Sequence, residues 1–197
     1  MGRLKENFLM IRKSYNISNS FSWLTLIDNK PDCNKFEVSW DHLGDDIDVY
    51  QKVLNLIFKS DIQKLVVGPC VPGFSWNDFA NVYYEPENFV KPTLIHPEFD
   101  NIYEINFMNM MVDNNIEYDY CGYCKINKWD DFIQLVLNVI LNVGGTDSLK
   151  FYNKDDQYCF YIHYTCSIGI YYKVINESIK NILKVCEELK LKVIQKY

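Results

Sequence analysis

Residues 158–164 constrain the fold more than any other stretch of this sequence, because both alternating sets of positions are apolar or aromatic. Phe160 and Ile162 would lie on one face of a strand. Cys159 and Tyr161 would lie on the other face. A strand that is apolar on both sides has to be covered on both sides. The sequence therefore predicts that this segment is a central strand of a sheet.

The rest of the chain supplies further strands and helices. Alternating or short apolar runs predict strands near residues 21–27, 35–40, 64–67, 149–152, 168–172 and 191–194, with two extended segments between 102 and 126 that flank a turn at 113–115. Helical spacing of apolar residues predicts helices over about 45–59, 129–143 and 175–189, the last with Ile175, Ile179, Ile182, Cys186 and Leu189 facing inward. This order predicts one α+β domain over residues 1–197, with a mixed or mostly antiparallel sheet packed against about three helices.

Charge and proline are concentrated in the middle of the chain. Five of the six prolines lie between residues 69 and 97, so we expect an irregular segment over about 68–119. Residues 85–119 contain one lysine and eight carboxylates, a net charge of −7. Residues 1–84 have a net charge of −1 and residues 120–197 a net charge of +2. The overall charge of −6 therefore belongs to the middle segment.

Composition excludes several classes of protein. The apolar runs are shorter than the ~18–20 residues that span a bilayer, so we expect no membrane partner. The acidic balance disfavours nucleic acid, duplex DNA above all, as a partner. The N-terminus lacks the apolar core of a secretory signal, and the seven cysteines have no framework spacing. We therefore expect a cytoplasmic protein with reduced thiols.

Amino-acid usage is strongly skewed. The chain has one alanine and two arginines, against 15 tyrosines and many Lys, Asn, Ile and Phe residues. This skew follows the codon usage of an AT-rich genome. We therefore infer no binding surface from the tyrosine content alone.

One pair of cysteines matches a catalytic motif. Cys121-Gly-Tyr-Cys124 resembles the CxxC of thioredoxin-like oxidoreductases, in which a helix N-terminus activates the first thiol. The next predicted helix begins near Trp129, several residues too late, and no proline follows Pro97 to form the loop that faces the active site in that family. A thiol oxidoreductase at Cys121 and Cys124 stays an alternative. The same pair could bind zinc with ligands drawn from Cys159, His163 or Cys166, although only one pair has a standard spacing.

A carboxylate cluster lies where the first helix is predicted to begin. It consists of Asp41, Asp45, Asp46 and Asp48, with His42 beside them. Clustered carboxylates suit hard divalent cations, so a metal-dependent enzyme is a second alternative. Helix capping and the helix dipole explain the same residues equally well. We therefore predict no cofactor and no catalytic activity.

The acidic middle segment alternates carboxylates with aromatic rings. This pattern combines electrostatic steering with rigid contact area, and it favours a docking surface for a basic partner in which Tyr118 and Tyr120 act as anchors. The candidate partner-binding carboxylates form two alternative clusters, and the sequence leaves open which of them is the interface. One consists of Asp41, Asp45, Asp46 and Asp48, and the other consists of Glu98, Asp100, Glu104, Glu117 and Asp119, with Tyr118 and Tyr120 as the anchors.

In size, acidity and this interleaving, the chain resembles the immunity proteins of bacterial contact-dependent or polymorphic toxin systems. These are small, cytosolic, often acidic α+β proteins that bind and neutralise a cognate toxin domain. The resemblance implies a non-enzymatic inhibitor whose partner is a toxin, such as a basic nuclease domain. It covers general features and no motif, so no residue role is carried over from the family, and the oligomeric state stays open.

Overall fold

The computed structural model describes residues 9–12, 33–39, 47–69, 76, 120–136, 149–163 and 167–196. Within them, eight strands form one sheet: β1 (Leu9–Arg12), β2 (Asn34–Ser39), β3 (Leu65–Pro69), β4 (Tyr123–Ile126), β5 (Leu149–Asn153), β6 (Tyr158–His163), β7 (Ser167–Tyr172) and β8 (Lys192–Lys196). The same residues form helices α1 (Ile47–Phe58), α2 (Trp129–Leu135) and α3 (Glu177–Glu188) and a 3-10 helix (Lys59–Lys64). The predicted strand at 21–27, the turn at 113–115 and most of the irregular middle segment lie outside the described residues.

The strands are arranged in the order β1-β4-β3-β5-β6-β7-β2-β8. Every neighbouring pair is antiparallel. The prediction of an α+β fold, with a mostly antiparallel sheet and three helices packed against it, is confirmed. Strand β6 lies between β5 and β7, and its residues Cys159, Phe160 and Ile162 have no exposed surface. Residues 158–163 therefore form an interior strand, as their pattern predicts.

Stacked phenylalanines join the helices to one face of the sheet, which we call the helix face. Phe160 of β6 stacks on Phe58 at the end of α1, with ring centroids 3.9 Å apart, and on Phe151 of β5 at 4.8 Å. Phe132 of α2 meets Phe151 edge-on at 5.2 Å. All four rings are at most 1% exposed. Aromatic contacts of this kind add to the burial of apolar area, so this cluster fixes where α1 and α2 lie on the sheet.

Helix α3 begins later than its apolar pattern predicts. Ile179, Ile182 and Cys186 are buried on its inner side, in agreement with the prediction. The prediction for Ile175 is wrong, because this side chain is 53% exposed. The side chain of Asn176 accepts a hydrogen bond from the Ile179 amide at 3.0 Å and so caps the helix. Ile175 precedes this cap and is not part of the helix.

No helix in the described ranges has both the length and the hydropathy that a membrane span requires.

Candidate functional surfaces

Two of the eleven predicted partner-binding residues lie in the described part of the chain. Asp48 is exposed in the first turn of α1, where a carboxylate interacts favourably with the helix dipole. Its side chain is placed where it could meet a partner. The second described residue is Tyr120. The other nine lie outside the described residues: Asp41, Asp45, Asp46, Glu98, Asp100, Glu104, Glu117, Tyr118 and Asp119.

Tyr120 belongs to the core. Only 7% of its surface is exposed, and its hydroxyl donates a hydrogen bond to the carbonyl of Tyr123 at 3.1 Å. Its own carbonyl accepts from the amide of Trp76, whose indole donates to the Gly122 carbonyl at 2.8 Å. These bonds join Trp76 to the start of β4. Tyr120 is thus placed as a structural residue and not as the exposed anchor that its neighbours in sequence suggest.

The CxxC cysteines lie beside and within a strand. Cys121 is exposed just before β4, whereas Cys124 is fully buried within that strand. Burial raises the pKa of the Cys124 thiol, because the thiolate form would lose its hydration. Helix α2 begins only at Trp129, so its N-terminus is not positioned to activate Cys121. The pair therefore lacks the local arrangement that makes such thiols reactive.

Two of the cysteines weighed as zinc ligands face opposite sides of the sheet. Cys124 pairs in register with Val67, and both pack in the large core on the helix face. Cys159 pairs with Tyr152, and both belong to a small cluster on the other face. Among the described residues, no group of three or more His, Cys, Asp or Glu side chains is placed to hold a metal ion.

A buried carboxylate holds the hairpin between β5 and β6. The hydroxyl of Tyr158 donates to Asp61 Oδ2 at 2.9 Å. Asn153 Nδ2 donates to Asp61 Oδ2 at 3.4 Å and to Asp156 Oδ2 at 2.9 Å. Lys64 Nζ donates to Asp156 Oδ2 at 3.0 Å and to Asp61 Oδ1 at 3.4 Å. Because both carboxylates accept from several donors, this network joins the hairpin to the 3-10 helix and has a structural role.

The pKa values in this network fit that role. Burial, together with the neighbouring charge of Asp61, raises the pKa of Tyr158 well above its usual value, so its hydroxyl stays protonated as a donor. For Asp156, burial opposes the charged form, but the hydrogen bonds from Lys64 and Asn153 outweigh it and lower its pKa.

Tyrosine and lysine side chains occupy the sheet face opposite the helices. We call this surface the tyrosine–lysine face, and it comprises Lys35 of β2, Tyr123 of β4, Lys150 and Tyr152 of β5, Tyr161 of β6 and Tyr171 of β7. Val66 and Cys159 form its buried floor. It is a second, separate cluster because side chains alternate between the two faces of each strand.

The centre of this face is a tyrosine pair flanked by ammonium groups. The ring centroids of Tyr161 and Tyr171 are 6.0 Å apart. Lys35 Nζ donates to the Tyr161 hydroxyl at 3.0 Å and lies 4.9 Å from the centroid of the Tyr171 ring. Lys150 Nζ lies 5.3 Å from the same centroid, from the opposite flanking strand. Both contacts are within the range of cation–π interactions.

Two of the tyrosine rings lie over glycines. A Cβ atom at Gly169 would stand 2.2 Å from Cε1 of Tyr161, and one at Gly68 would stand 2.4 Å from Cδ1 of Tyr123. Only residues without a side chain fit beneath rings placed this close to the sheet. The rings therefore lie along the sheet surface.

This face is not among the surfaces that the sequence patterns predict. Its signal is the alternation of Tyr161 with Cys159 in β6 and of Tyr171 with Gly169 in β7, which places the rings on one side of adjacent strands. The skewed tyrosine content conceals that signal, because it gives every region of the chain some tyrosines. Comparison of the chain with protein-family models, with curated proteins and with solved structures finds no match.

Proposed function

We propose that this protein acts in the bacterial cytoplasm as a non-enzymatic inhibitor that binds and neutralises a cognate toxin domain with a basic surface. The observation that carries the proposal is the distribution of charge along the chain. Residues 85–119 contain one lysine and eight carboxylates, a net charge of −7. The flanking residues 1–84 and 120–197 have net charges of only −1 and +2.

Segregated negative charge suits recognition of a basic partner. Residues 85–119 alone have a net charge of −7, with aromatic side chains between the carboxylates. A surface of this composition attracts a cationic partner at a distance and suppresses binding to acidic proteins. The exposed carboxylate of Asp48 adds to the same kind of surface at the start of α1.

A toxin that acts on nucleic acid has to present a basic groove to its substrate. An acidic inhibitor can occupy that groove, or bind beside it and block access to it. In either case inhibition needs affinity and position, and no chemical step from the inhibitor. The proposal agrees with the resemblance to immunity proteins in size, acidity and fold class.

The test compares two variants with the same change in charge. The first neutralises the middle segment with Glu98→Gln, Asp100→Asn, Glu104→Gln, Glu117→Gln and Asp119→Asn. The matched control neutralises five exposed carboxylates of the described residues with Asp130→Asn, Asp155→Asn, Glu177→Gln, Glu187→Gln and Glu188→Gln. Tagged wild-type protein and both variants are used to capture partners from a lysate of the source cells. Each captured basic protein is then expressed alone and together with this chain.

We expect the wild type and the control to capture a basic protein that arrests growth when expressed alone and is harmless when co-expressed with this chain. The middle-segment variant should lose that capture and that protection. A partner that is not toxic, or equal protection by both variants, would contradict the proposal.

A further inference from the structure

Strand β8 forms one edge of the sheet that the structure describes. It is the last strand in the order, and among the described strands it pairs with β2 alone. Alternate residues on its outer side therefore present backbone N–H and C=O groups to which a further strand can pair. We propose that β8 binds an extended, acidic segment of a partner protein as an additional strand of the sheet. This site does not use the carboxylates proposed to meet the toxin.

Two exposed apolar side chains distinguish β8 from the other strands. Val193 is 37% exposed and Ile194 is 36% exposed. In the other strands whose side chains the structure describes, the large apolar residues are buried or half-buried. Val193 lies opposite Val38, which packs in the core on the helix face, so Ile194 lies at the margin of the tyrosine–lysine face. An added strand would cover both residues, because its own side chains alternate between the same two faces.

The charge of β8 indicates what kind of strand it accepts. Lys192 is exposed, and within the described ranges it has no carboxylate at ion-pair distance. Its neighbour in register on β2 is the neutral Ser39, whereas Glu37 lies opposite Ile194. Opposite charges on facing residues of two strands stabilise their pairing. A glutamate or aspartate opposite Lys192, with an apolar residue opposite Ile194, would therefore complement this edge.

The lysines of β8 disfavour a second copy of the chain as the occupant. The strand sequence is Lys-Val-Ile-Gln-Lys. Two copies that paired all five residues about a two-fold axis at Ile194 would bring Lys192 of each copy opposite Lys196 of the other. Like charges directly opposite each other destabilise a pair of strands, and edge lysines prevent self-association in this way. The same lysines attract an acidic strand.

The test measures binding of labelled synthetic peptides to the full chain by fluorescence anisotropy. Each peptide has about seven residues, within the usual length of a strand. The probe peptide has threonine at its odd positions and glutamate, isoleucine and glutamate at its even positions, and the control peptide has lysine in place of both glutamates. The protein variant is Lys192→Glu. Its matched control is Lys154→Glu, an exposed lysine beside β5, which β6, β7 and β2 separate from β8.

We expect the wild type and Lys154→Glu to bind the glutamate peptide more tightly than the lysine peptide. Lys192→Glu should bind the glutamate peptide at least about fivefold more weakly than the wild type does, because an attractive cross-strand pair becomes repulsive. It should also bind the lysine peptide more tightly than the wild type does. A variant that only failed to fold would lose binding of both peptides and gain neither.

Methylation of the peptide's amide nitrogens tests whether the peptide adds as a strand. Only alternate residues of a strand donate towards a given neighbour. We therefore expect methylation of one alternate set of amides in the glutamate peptide to abolish binding, and methylation of the other set to leave most of it.

Absence of binding, equal binding of the two peptides to the wild type, or equal effects of the two methylated sets would each overturn the inference. Sedimentation tests the competing occupant. A wild-type dimer that Ile194→Asp dissociates would identify a second copy on β8 and would also overturn the inference.

Discussion

At the scale of single residues, close packing against glycine determines how the tyrosine–lysine face is built. The ring of Tyr161 occupies the space in which a side chain at Gly169 would begin. A glycine within a strand normally weakens it, because the flexible unfolded backbone loses more entropy on folding. Here the glycine allows a large ring to cover the strand. Replacing Gly169 would lower the entropy cost of folding, which stabilises the protein, but it would also displace the ring of Tyr161, which destabilises it. Substitutions at both positions can separate the two effects.

Gly169→Ala should destabilise the protein by ~1–3 kcal/mol, because the new Cβ would stand 2.2 Å from Cε1 of Tyr161 and the ring would have to move. In the background Tyr161→Ala the same substitution should be neutral or stabilising by up to ~1 kcal/mol, since only the backbone effect remains. Urea unfolding of the wild type, the two single variants and the double variant measures how far the effects of the two substitutions on the free energy of unfolding depend on each other. Equal effects of Gly169→Ala in both backgrounds would show that the ring does not depend on the glycine.

The carboxylate of Asp156 gives the protein a stability that depends on pH. Burial opposes its charge, but donors from Lys64 and Asn153 outweigh that effect, so its folded-state pKa lies below the ordinary value of 3.8. A group with a lowered folded pKa stabilises the protein above its unfolded pKa, and this contribution is lost as the pH falls through the folded value. Asp156→Asn has no such titration.

We therefore expect the free energy of unfolding of the wild type to fall more than that of Asp156→Asn between about pH 6 and about pH 3. Urea unfolding at several pH values measures the free energy of unfolding of both proteins. Because the other carboxylates are the same in both, their contribution cancels when the two values are subtracted. Parallel curves for the two proteins would show that the hydrogen bonds from Lys64 and Asn153 do not favour the charged form of Asp156.

At the scale of elements, both ends of α3 are defined by contacts that its apolar pattern does not contain. Asn176 caps the first turn and also donates a hydrogen bond to the carbonyl of Asp156 in the β5–β6 hairpin. At the other end, Lys190 has a φ of 55°, and the Leu191 amide donates to the Cys186 carbonyl at 2.8 Å. This is the left-handed helix end that glycine usually occupies.

Asn176→Ala should destabilise the protein by ~1–2 kcal/mol, because it removes the helix cap and the bond to the hairpin together. Asn176→Asp retains an oxygen that can cap the helix but loses the donor to Asp156. Asn176→Asp should therefore lower the free energy of unfolding by less than Asn176→Ala does. Thermal and urea unfolding compare the two variants, and equal losses would show that the cap contributes nothing beyond the hairpin bond.

Local patterns predict the elements well where the pattern itself causes the structure. The interior position of β6, the class of the fold and the inner side of α3 follow from the spacing of apolar residues such as Phe160 and Ile182. The exposure of Ile175 was not predictable in this way, because an apolar residue one position before the cap continues the helical spacing. The burial of Tyr120 depends on a contact with Trp76, 44 positions away along the chain, and no local pattern contains it.

At the scale of the whole molecule, the net charge of −6 is a poor description of the surface. Residues 85–119 have a net charge of −7, whereas residues 1–84 and 120–197 have net charges of −1 and +2. We therefore expect a basic partner to be attracted to the middle segment more than to the nearly balanced flanks.

The central claim is that the acidic middle segment steers this protein to a basic toxin. The most direct measurement is the association rate of the captured toxin with the wild type by stopped-flow fluorescence, at ionic strengths from about 0.02 M to about 0.5 M. We expect the rate to fall steeply with salt for the wild type and for the control with five substitutions, and weakly for the middle-segment variant. An association rate that is independent of salt, or the same salt dependence for all three proteins, would contradict the claim.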